Sequence, residues 1–345
     1  MEKHYIYPLI DLITVRAKID ETEPGSDNLQ NGWRTDELLQ DIDELIIGNY
    51  NDPSKYAEIG RQVLVLAKAG KLPELAALAR LAILRGERLL PVNPEREKTI
   101  IRIIEETKNT IAALPNNTRK MRCESLFHYH VGVFYTSYGR FDLAANEQKE
   151  AAEKAGLFGD RTGMTFSYFM ETLYRLKDAL YKGRETETIF SKLEERFTQL
   201  IYAAHGSLLE VQITEHNGPA HMIQACVWLN RTHPNWNEWI TTVIAAENKL
   251  GKQWKSSIGF VRAVDMDSRG DSGANNALRA IIESNDKGND VNERKAAALL
   301  ILARHAIQDG KIKEATKIIN QIPEQGAQHV RAIAEHMLKK SKKNL

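Results

Sequence analysis

The sequence predicts an all-α chain built from antiparallel helix pairs, and three observations lead to this fold class. Apolar residues recur at intervals of three and four along nearly the whole chain, as they do on one face of an α-helix. Runs of alternating β-branched residues bounded by turn signals, which are typical of strands, are absent from the sequence. The breaks between apolar segments are short and polar and contain Gly or Pro.

The first predicted element is a helix at about residues 5–20, and the longest break in the pattern, residues 21–32, follows it. This break contains Pro and Gly, and we read it as a loop. We therefore expect two regions, namely N-terminal helices with a loop at 1–50 and a helical repeat region at 51–345.

Helix signals continue through the second region. Asn93 is followed by Pro94, and the pair predicts a helix start, because Asn can cap free backbone N–H groups and Pro fits the first helical position. One apolar stripe runs between residues 126 and 138. Four further helices are predicted at 166–181, 187–204, 220–229 and 238–250.

Three segments of the second region share one plan, in which a helix is followed by a Gly, an apolar residue two positions later, and a second helix rich in Ala. The pivotal residues are Gly70, Gly139 and Gly310, which are 69 and 171 residues apart. Both separations are close to multiples of a period of about 34 residues.

The middle segment carries the most specific pattern. Gly132 and Ala144 are small where two helices are expected to cross, and Gly139 permits the turn backbone. The full set is Val131, Gly132, Tyr135, Gly139, Phe141, Asp142, Ala144 and Ala151.

In these positions the segment resembles a tetratricopeptide repeat, a family whose period is about 34 residues. It departs from the family at His128, where a large apolar residue is usual, and at Gln148, where an aromatic residue is usual. Recognisable pattern covers about 100 of the 345 residues. The resemblance implies a right-handed, TPR-like α-solenoid of antiparallel helix pairs that is degenerate in its middle.

Residues 157–292 lose the repeat register, because Gly183, Gly206 and Gly251 are not separated by 34 residues. Two interpretations fit this segment: degenerate repeats with longer helices, or an inserted helical domain without repeats. The segment also holds four of the five tryptophans, between residues 228 and 254. They fit either core packing or an aromatic groove for a ligand.

Several fragments resemble catalytic or metal-binding motifs without their required context. Residues 270–273 match a serine-protease sequence but lack the fold and the positioned His that this chemistry needs. Residues 265–276 resemble a calcium loop, yet Asn276 stands in place of the bidentate Glu. His216 and His221 lack the spacing of a zinc-binding helix. We therefore predict no catalytic residues, no cofactor and no metal, and expect that the chain is not an enzyme.

Composition narrows the classes of partner and compartment. The chain carries 47 basic and 46 acidic residues, so it lacks the excess positive charge expected of a nucleic-acid-binding protein or a protein drawn to anionic membranes. Its two cysteines form no disulfide framework. The sequence shows neither a signal peptide nor an apolar run of 18 residues. We expect a cytoplasmic protein that binds neither nucleic acid nor membranes, and its oligomeric state is left open.

The family resemblance implies a scaffold that binds another protein or a peptide on the concave face of a helical superhelix. Two other hypotheses are kept, a peptide-sensing regulatory protein and a helical enzyme whose site carries no motif. Carried over from the family's inner-face positions, the predicted contact residues are Lys68, Tyr129, Val133, Thr136, Ser137, Arg304 and Gln308.

Overall fold

The computed structural model describes residues 53–90, 93–207, 210–249, 255–285, 289–324 and 326–343. The helix predicted at 5–20, its loop and the boundary at residue 50 lie outside these ranges. Within them, helices joined by short turns make up the structure and no strand occurs, which confirms the all-α prediction.

The described chain contains fourteen α-helices, together with a π-helix at Val211–Asn217 and a short 3-10 helix at Ala246–Asn248. The α-helices are α1 (Pro53–Ala69), α2 (Pro73–Leu89), α3 (Pro94–Ala112), α4 (Thr118–Ser137), α5 (Phe141–Leu157), α6 (Arg161–Lys182), α7 (Glu187–Ala204), α8 (Gly218–Leu229), α9 (Trp236–Ala245), α10 (Lys255–Ser268), α11 (Ala274–Glu283), α12 (Asn289–Gln308), α13 (Ile312–Ile319) and α14 (Gln328–Lys343).

The chain forms two compact units, and the boundary between them falls within α4, after His130. In the first unit α1 pairs with α2, and α3 packs on α2. A Cβ atom at Gly60 would lie 2.7 Å from the Ala79 carbonyl oxygen, so α1 and α2 cross too closely for a larger residue. The predicted start of α3 is confirmed, since the Asn93 side chain accepts a hydrogen bond from the Arg96 backbone N–H at 2.9 Å.

The turn between α1 and α2 differs from the expectation. Gly70 does not adopt the left-handed conformation there; Lys71 does, with φ 50°. The turns at Gly139 and Gly310 have φ 70° and 73°, as a left-handed turn glycine requires. Gly at the first of these three turns is therefore not explained by a positive φ.

The second unit begins with the end of α4, which packs against α5. A Cβ at Gly132 would lie 3.1 Å from the Ala144 carbonyl oxygen and 2.7 Å from Nε2 of Gln148. The close helix crossing predicted at Gly132 and Ala144 is therefore present. Gln148, which is fully buried, fills the space beside it.

Two features give the second unit its core. The first is α12, in which every residue from 296 to 303 is at most 6% exposed, because α8, α10, α11, α13 and α14 all pack on this helix. A helix that is buried on every side lies at the centre of its domain. The second is α14, which packs on α6, α12 and α13. In a regular solenoid each repeat contacts only the repeats next to it. The contact between α6 and α14, which are far apart in the sequence, is not of that kind.

Candidate functional site

His329, in the first turn of α14, is completely buried in a slot made by four other helices. We call this the His329 slot; its walls are Phe141 of α5, Lys177 of α6, Trp228 of α8 and Glu293 of α12. All five side chains belong to the second unit.

Two aromatic rings hold the imidazole edge to face. The centroid of the His329 ring lies 4.6 Å from the ring centroid of Trp228 and 5.3 Å from that of Phe141. In both pairs the angle between the ring planes is 86°. Such perpendicular contacts are favourable for aromatic pairs. The slot therefore fits a flat ring presented by a helix.

The slot also contains a buried charge pair. Oε1 of Glu293 lies 2.7 Å from Nζ of Lys177 and 3.0 Å from Nε2 of His329. Neither approach is aligned as a hydrogen bond, so both are close contacts between polar groups. The Lys177 ammonium also lies 5.3 Å from the centre of the Trp228 ring and 5.4 Å from that of Tyr174, within cation–π range.

The charges of the slot follow from burial and proximity. Burial raises the pKa of Glu293, but the Lys177 cation and the contact with His329 outweigh it and lower this pKa to about 2. Burial lowers the pKa of His329, and this effect exceeds the opposite one of Glu293. At neutral pH the slot thus holds one cation, one anion and a neutral imidazole.

Part of the slot's hydrogen-bonding capacity is unused. Nδ1 of His329 and Nε1 of Trp228 are buried and have no hydrogen-bond partner in the described part of the chain. Buried polar atoms are normally paired, and each exception needs an explanation. The imidazole is therefore held by ring packing and proximity to charge more than by directed hydrogen bonds.

Local structure fixes the walls in place. Phe141 begins α5 directly after the Gly139 turn, where a Cβ would lie 2.8 Å from the Gln328 side chain. Trp228 lies in the last turn of α8, whose end is held by Arg304 of α12. The Arg304 guanidinium donates to the carbonyl oxygens of Val227 at 2.6 Å and Trp228 at 3.1 Å.

The predicted contact residues are distributed over both units. Lys68 and Tyr129 belong to the first unit, where Lys68 is exposed and Tyr129 is half-buried, with the Arg88 guanidinium 5.9 Å from its ring centre. Val133 and Thr136 are half-buried in the second unit, and the Thr136 hydroxyl donates to the Val133 carbonyl at 2.7 Å.

The remaining three predicted residues differ in accessibility. Ser137 is 3% exposed, and its hydroxyl donates to the Val133 carbonyl at 3.3 Å. Arg304 caps α8 from a half-buried position, whereas Gln308 is exposed. Ala297 and Leu300, on the same helix as Arg304 and Gln308, are completely buried. Much of the surface of α12 is thus covered by its neighbours.

Sequence reasoning did not find Lys177, Glu293 or His329, because no motif spacing links residues on three separate helices. One signal was present: Lys177 interrupts an otherwise apolar stripe of α6 that includes Leu173 and Tyr174. A charge on such a stripe requires a buried partner. Trp228 belongs to the tryptophan cluster, and its burial favours the core-packing interpretation for that residue.

An open cavity of about 200 Å³ lies near the slot, between α5, α6 and the start of α7. Most of its charged lining is already paired within the chain. Asp178 contacts Lys182 at 2.7 Å, Arg175 donates to Glu171 at 2.8 Å, and Glu185 accepts from backbone N–H groups at the start of α7. These charges are therefore balanced within the chain, without a ligand.

Among the described residues, no group of three or more His, Cys, Asp or Glu side chains could hold a metal ion. No described helix combines the length and apolar character that crossing a membrane requires. Comparison with protein families, curated proteins and solved structures finds no match to this chain.

Proposed function

We propose that this chain is a scaffold that binds another protein or a peptide, without catalysing a reaction. The observation that carries the proposal is the His329 slot, in which four helices receive one side chain of a fifth helix between two aromatic rings and a charge pair. Helix-binding proteins recognise their partners in this way, through anchor side chains that enter pockets lined by aromatic residues.

The proposal includes the finer architecture of a TPR-like, right-handed solenoid that is degenerate in its middle. The close crossing of Gly132 and Ala144 and the left-handed turns at Gly139 and Gly310 support helix hairpins of this type. On this view α14 lies against α6 and α12, the inner helices of two such hairpins. Of the predicted contact residues, the exposed or half-buried ones that are not engaged in capping α8, as Arg304 is, are candidates for a partner: Lys68, Tyr129, Val133, Thr136 and Gln308.

The proposed partner is a protein or peptide rather than a nucleic acid or a membrane, and the proposed compartment is the cytoplasm. The balance of 47 basic and 46 acidic residues supports the first point, because nucleic acids and anionic membranes attract a clear excess of positive charge. The presence of two buried free cysteines fits a reducing compartment.

A display library of helical peptides tests this function. Peptides retained by the native, full-length chain are synthesised and titrated by calorimetry, and each is checked by mass spectrometry after incubation. We expect saturable binding that heat-unfolded chain does not show, and intact peptides. Binding should weaken about tenfold, or ~1.4 kcal/mol, when Tyr129, Thr136 and Gln308 are changed together to Ala. Cleaved or modified peptides, or no saturable binder, would overturn the proposal.

A further inference from the structure

Charge is distributed unevenly along the sequence, although the chain as a whole carries a net charge of only +1. Residues 20–44 contain nine acidic side chains and one basic side chain, that of Arg34. Residues 311–345 contain eight basic side chains and three acidic ones. Segments with such an excess of one sign of charge are typical of electrostatic interaction sites.

The basic segment forms an exposed surface on two packed helices. α13 and α14 contact each other, and both pack on α12, so their outer faces are neighbours on the second unit. Lys313 and Lys317 are four residues apart and therefore share one face of α13. We call the outer faces of α13 and α14 the basic surface. Its exposed lysines are Lys313, Lys317, Lys339, Lys340, Lys342 and Lys343.

The acidic side chains nearby do not neutralise this surface. Glu324 and Glu335 both lie beside the guanidinium of Arg331, at 3.1 Å and 2.9 Å. None of the six lysines forms an ion pair with an acidic side chain in the described ranges. Ammonium groups without a counter-charge produce a local positive potential, which attracts anionic groups.

The composition of the basic surface favours carboxylates over phosphates as its ligands. Arg is the residue that grips phosphate with two parallel hydrogen bonds, and Arg331, the one Arg in residues 311–345, is already engaged by two carboxylates. The same residues contain no Phe, Trp or Tyr on which a nucleic-acid base could stack. The apolar face of α14, which a membrane-bound helix would turn towards lipid, is buried in the second unit. An acidic protein segment is therefore the ligand that fits.

We propose that residues 20–44 of one copy of the chain bind the basic surface of a second copy. With nine acidic residues and one basic residue, the segment carries a net charge of −8, which complements the lysines of α13 and α14. The segment precedes the ranges that the structure describes, and its charge is a property of the sequence alone. The contact adds self-association to the proposed binding of a partner and uses none of the candidate contact residues of that function.

The type of contact determines the form of the assembly. It joins two different surfaces, and each copy offers one of each, so it produces open chains of copies or closed rings. Exposed ion pairs are individually weak, and salt screens them. Self-association should therefore be reversible, increase with protein concentration and disappear at high ionic strength.

Sedimentation velocity of the full-length chain measures this association. At one protein concentration, we expect an average mass at least about twofold above that of the monomer at an ionic strength of about 0.01 M. At about 1 M we expect the monomer, because the screening length falls from ~30 Å to ~3 Å. A wild-type chain that stays monomeric at low ionic strength would overturn the proposal.

Two charge-reversal variants locate the basic partner of the contact. The first changes four lysines of the basic surface, as Lys313→Glu, Lys317→Glu, Lys339→Glu and Lys340→Glu. The matched control makes the same change in net charge at four exposed lysines elsewhere, as Lys98→Glu, Lys108→Glu, Lys192→Glu and Lys255→Glu. The first variant should be monomeric at low ionic strength, and the control should associate as the wild type does. Equal behaviour of the two variants would overturn the proposal.

Exchanging the charges of both partners separates lost attraction from damage to the fold. A third variant reverses four charges of the segment, as Asp36→Lys, Glu37→Lys, Asp41→Lys and Glu44→Lys. It should be monomeric alone, and so should the variant of the basic surface. An equimolar mixture of these two chains should associate, because each segment then meets a surface of opposite charge. A mixture that remains monomeric would contradict the proposed pairing.

A fluorescein-labelled synthetic peptide of residues 20–44 provides a measurement that does not depend on the folding of the segment variant. It should bind the control variant at least tenfold more tightly than the variant of the basic surface, and it should dissociate wild-type assemblies. Tighter binding of single-stranded RNA or of anionic phospholipid vesicles than of this peptide would overturn the proposal in favour of those ligands. Self-association is measured without any library peptide, so its absence would leave the proposed scaffold function unaffected.

Discussion

Oε1 of Glu293 lies 2.7 Å from Nζ of Lys177 and 3.0 Å from Nε2 of the neutral His329 imidazole, in the interior of the second unit. Three helices that are distant in sequence thus meet at one oxygen atom. Because the pair is buried, its members depend on each other far more than exposed ion pairs do.

Removing one member of this pair should be more harmful than removing both. Glu293→Ala leaves the Lys177 cation buried without its counter-charge, and we expect the free energy of unfolding to fall by about 3–5 kcal/mol. The double variant Lys177→Met, Glu293→Leu should lose less stability than Glu293→Ala does, because it leaves no buried charge without its partner. Urea denaturation measures the free energy of unfolding of both variants. The control is Glu324→Ala, since Glu324 is exposed and its pair with Arg331 should contribute less than about 1 kcal/mol. A Glu293→Ala chain as stable as this control would contradict the prediction.

Stability should fall on mild acidification because of buried histidines. His216 in the π-helix is 2% exposed and lies beside His221 and Arg294, and its burial lowers its pKa to about 4. In the unfolded chain a His pKa is about 6.5, so the unfolded state binds more protons between these values. The contribution of neutral His216 is therefore full above pH 6.5 and decreases as the pH falls towards 4.

Between pH 7 and pH 5 this single group should remove about 2 kcal/mol from the free energy of unfolding. His216→Gln should flatten the pH dependence by that amount, whereas His336→Gln, at an exposed position, should not change it. Chemical denaturation at a series of pH values is the measurement. If the free energy of unfolding of His216→Gln changed with pH as steeply as that of the wild type, His216 would not be neutral in the folded state. Burial also lowers the pKa of His130 and of His329, so those residues should add to the loss in the same direction.

The crossing of α4 and α5 should not accept a larger side chain. Ala144 is completely buried where Gly132 approaches its backbone, so Ala144→Leu should destabilise the protein by about 1–3 kcal/mol through overpacking. Lys149→Leu on the exposed side of the same helix adds a Leu without entering the core and is the matched control. Melting temperatures of the two variants should differ by several degrees. Equal values would mean that α4 and α5 move apart enough to accommodate the larger side chain.

Arg304 should act on stability through α8. Arg304→Met removes two charge-assisted hydrogen bonds to the last carbonyls of α8, and we expect a loss of about 1–3 kcal/mol. Arg279→Met, at an exposed position of α11, should change little. Affinity for a partner measured on the same chains separates the two roles considered for Arg304. A loss of affinity in Arg304→Met without a loss of stability would favour direct contact with the partner over the capping of α8.

Sequence alone determined the helices and the hairpin around Gly139, because these depend on contacts within a few turns of the chain. Helical periodicity, the Asn93 cap and the small residues at 132 and 144 each act on neighbours close in sequence, and each is present in the structure. The turn between α1 and α2 also depends on local contacts, yet it departs from the prediction, since Lys71 and not Gly70 takes the left-handed conformation.

Tertiary packing decided where α12 and α14 lie, and therefore which residues form the slot. The sequence around Ala297 and Leu300 fits an inner helix of an open groove as well as a helix buried on every side, because both require small and apolar residues. In the sequence, His329 has the features of a solvated histidine at the start of a charged helix. In the structure it is buried, because α14 packs on α6 and α12. Only that packing brings its imidazole to Glu293 and Trp228, since the free energy of burying a charged pair depends on atoms supplied by helices far apart in the chain.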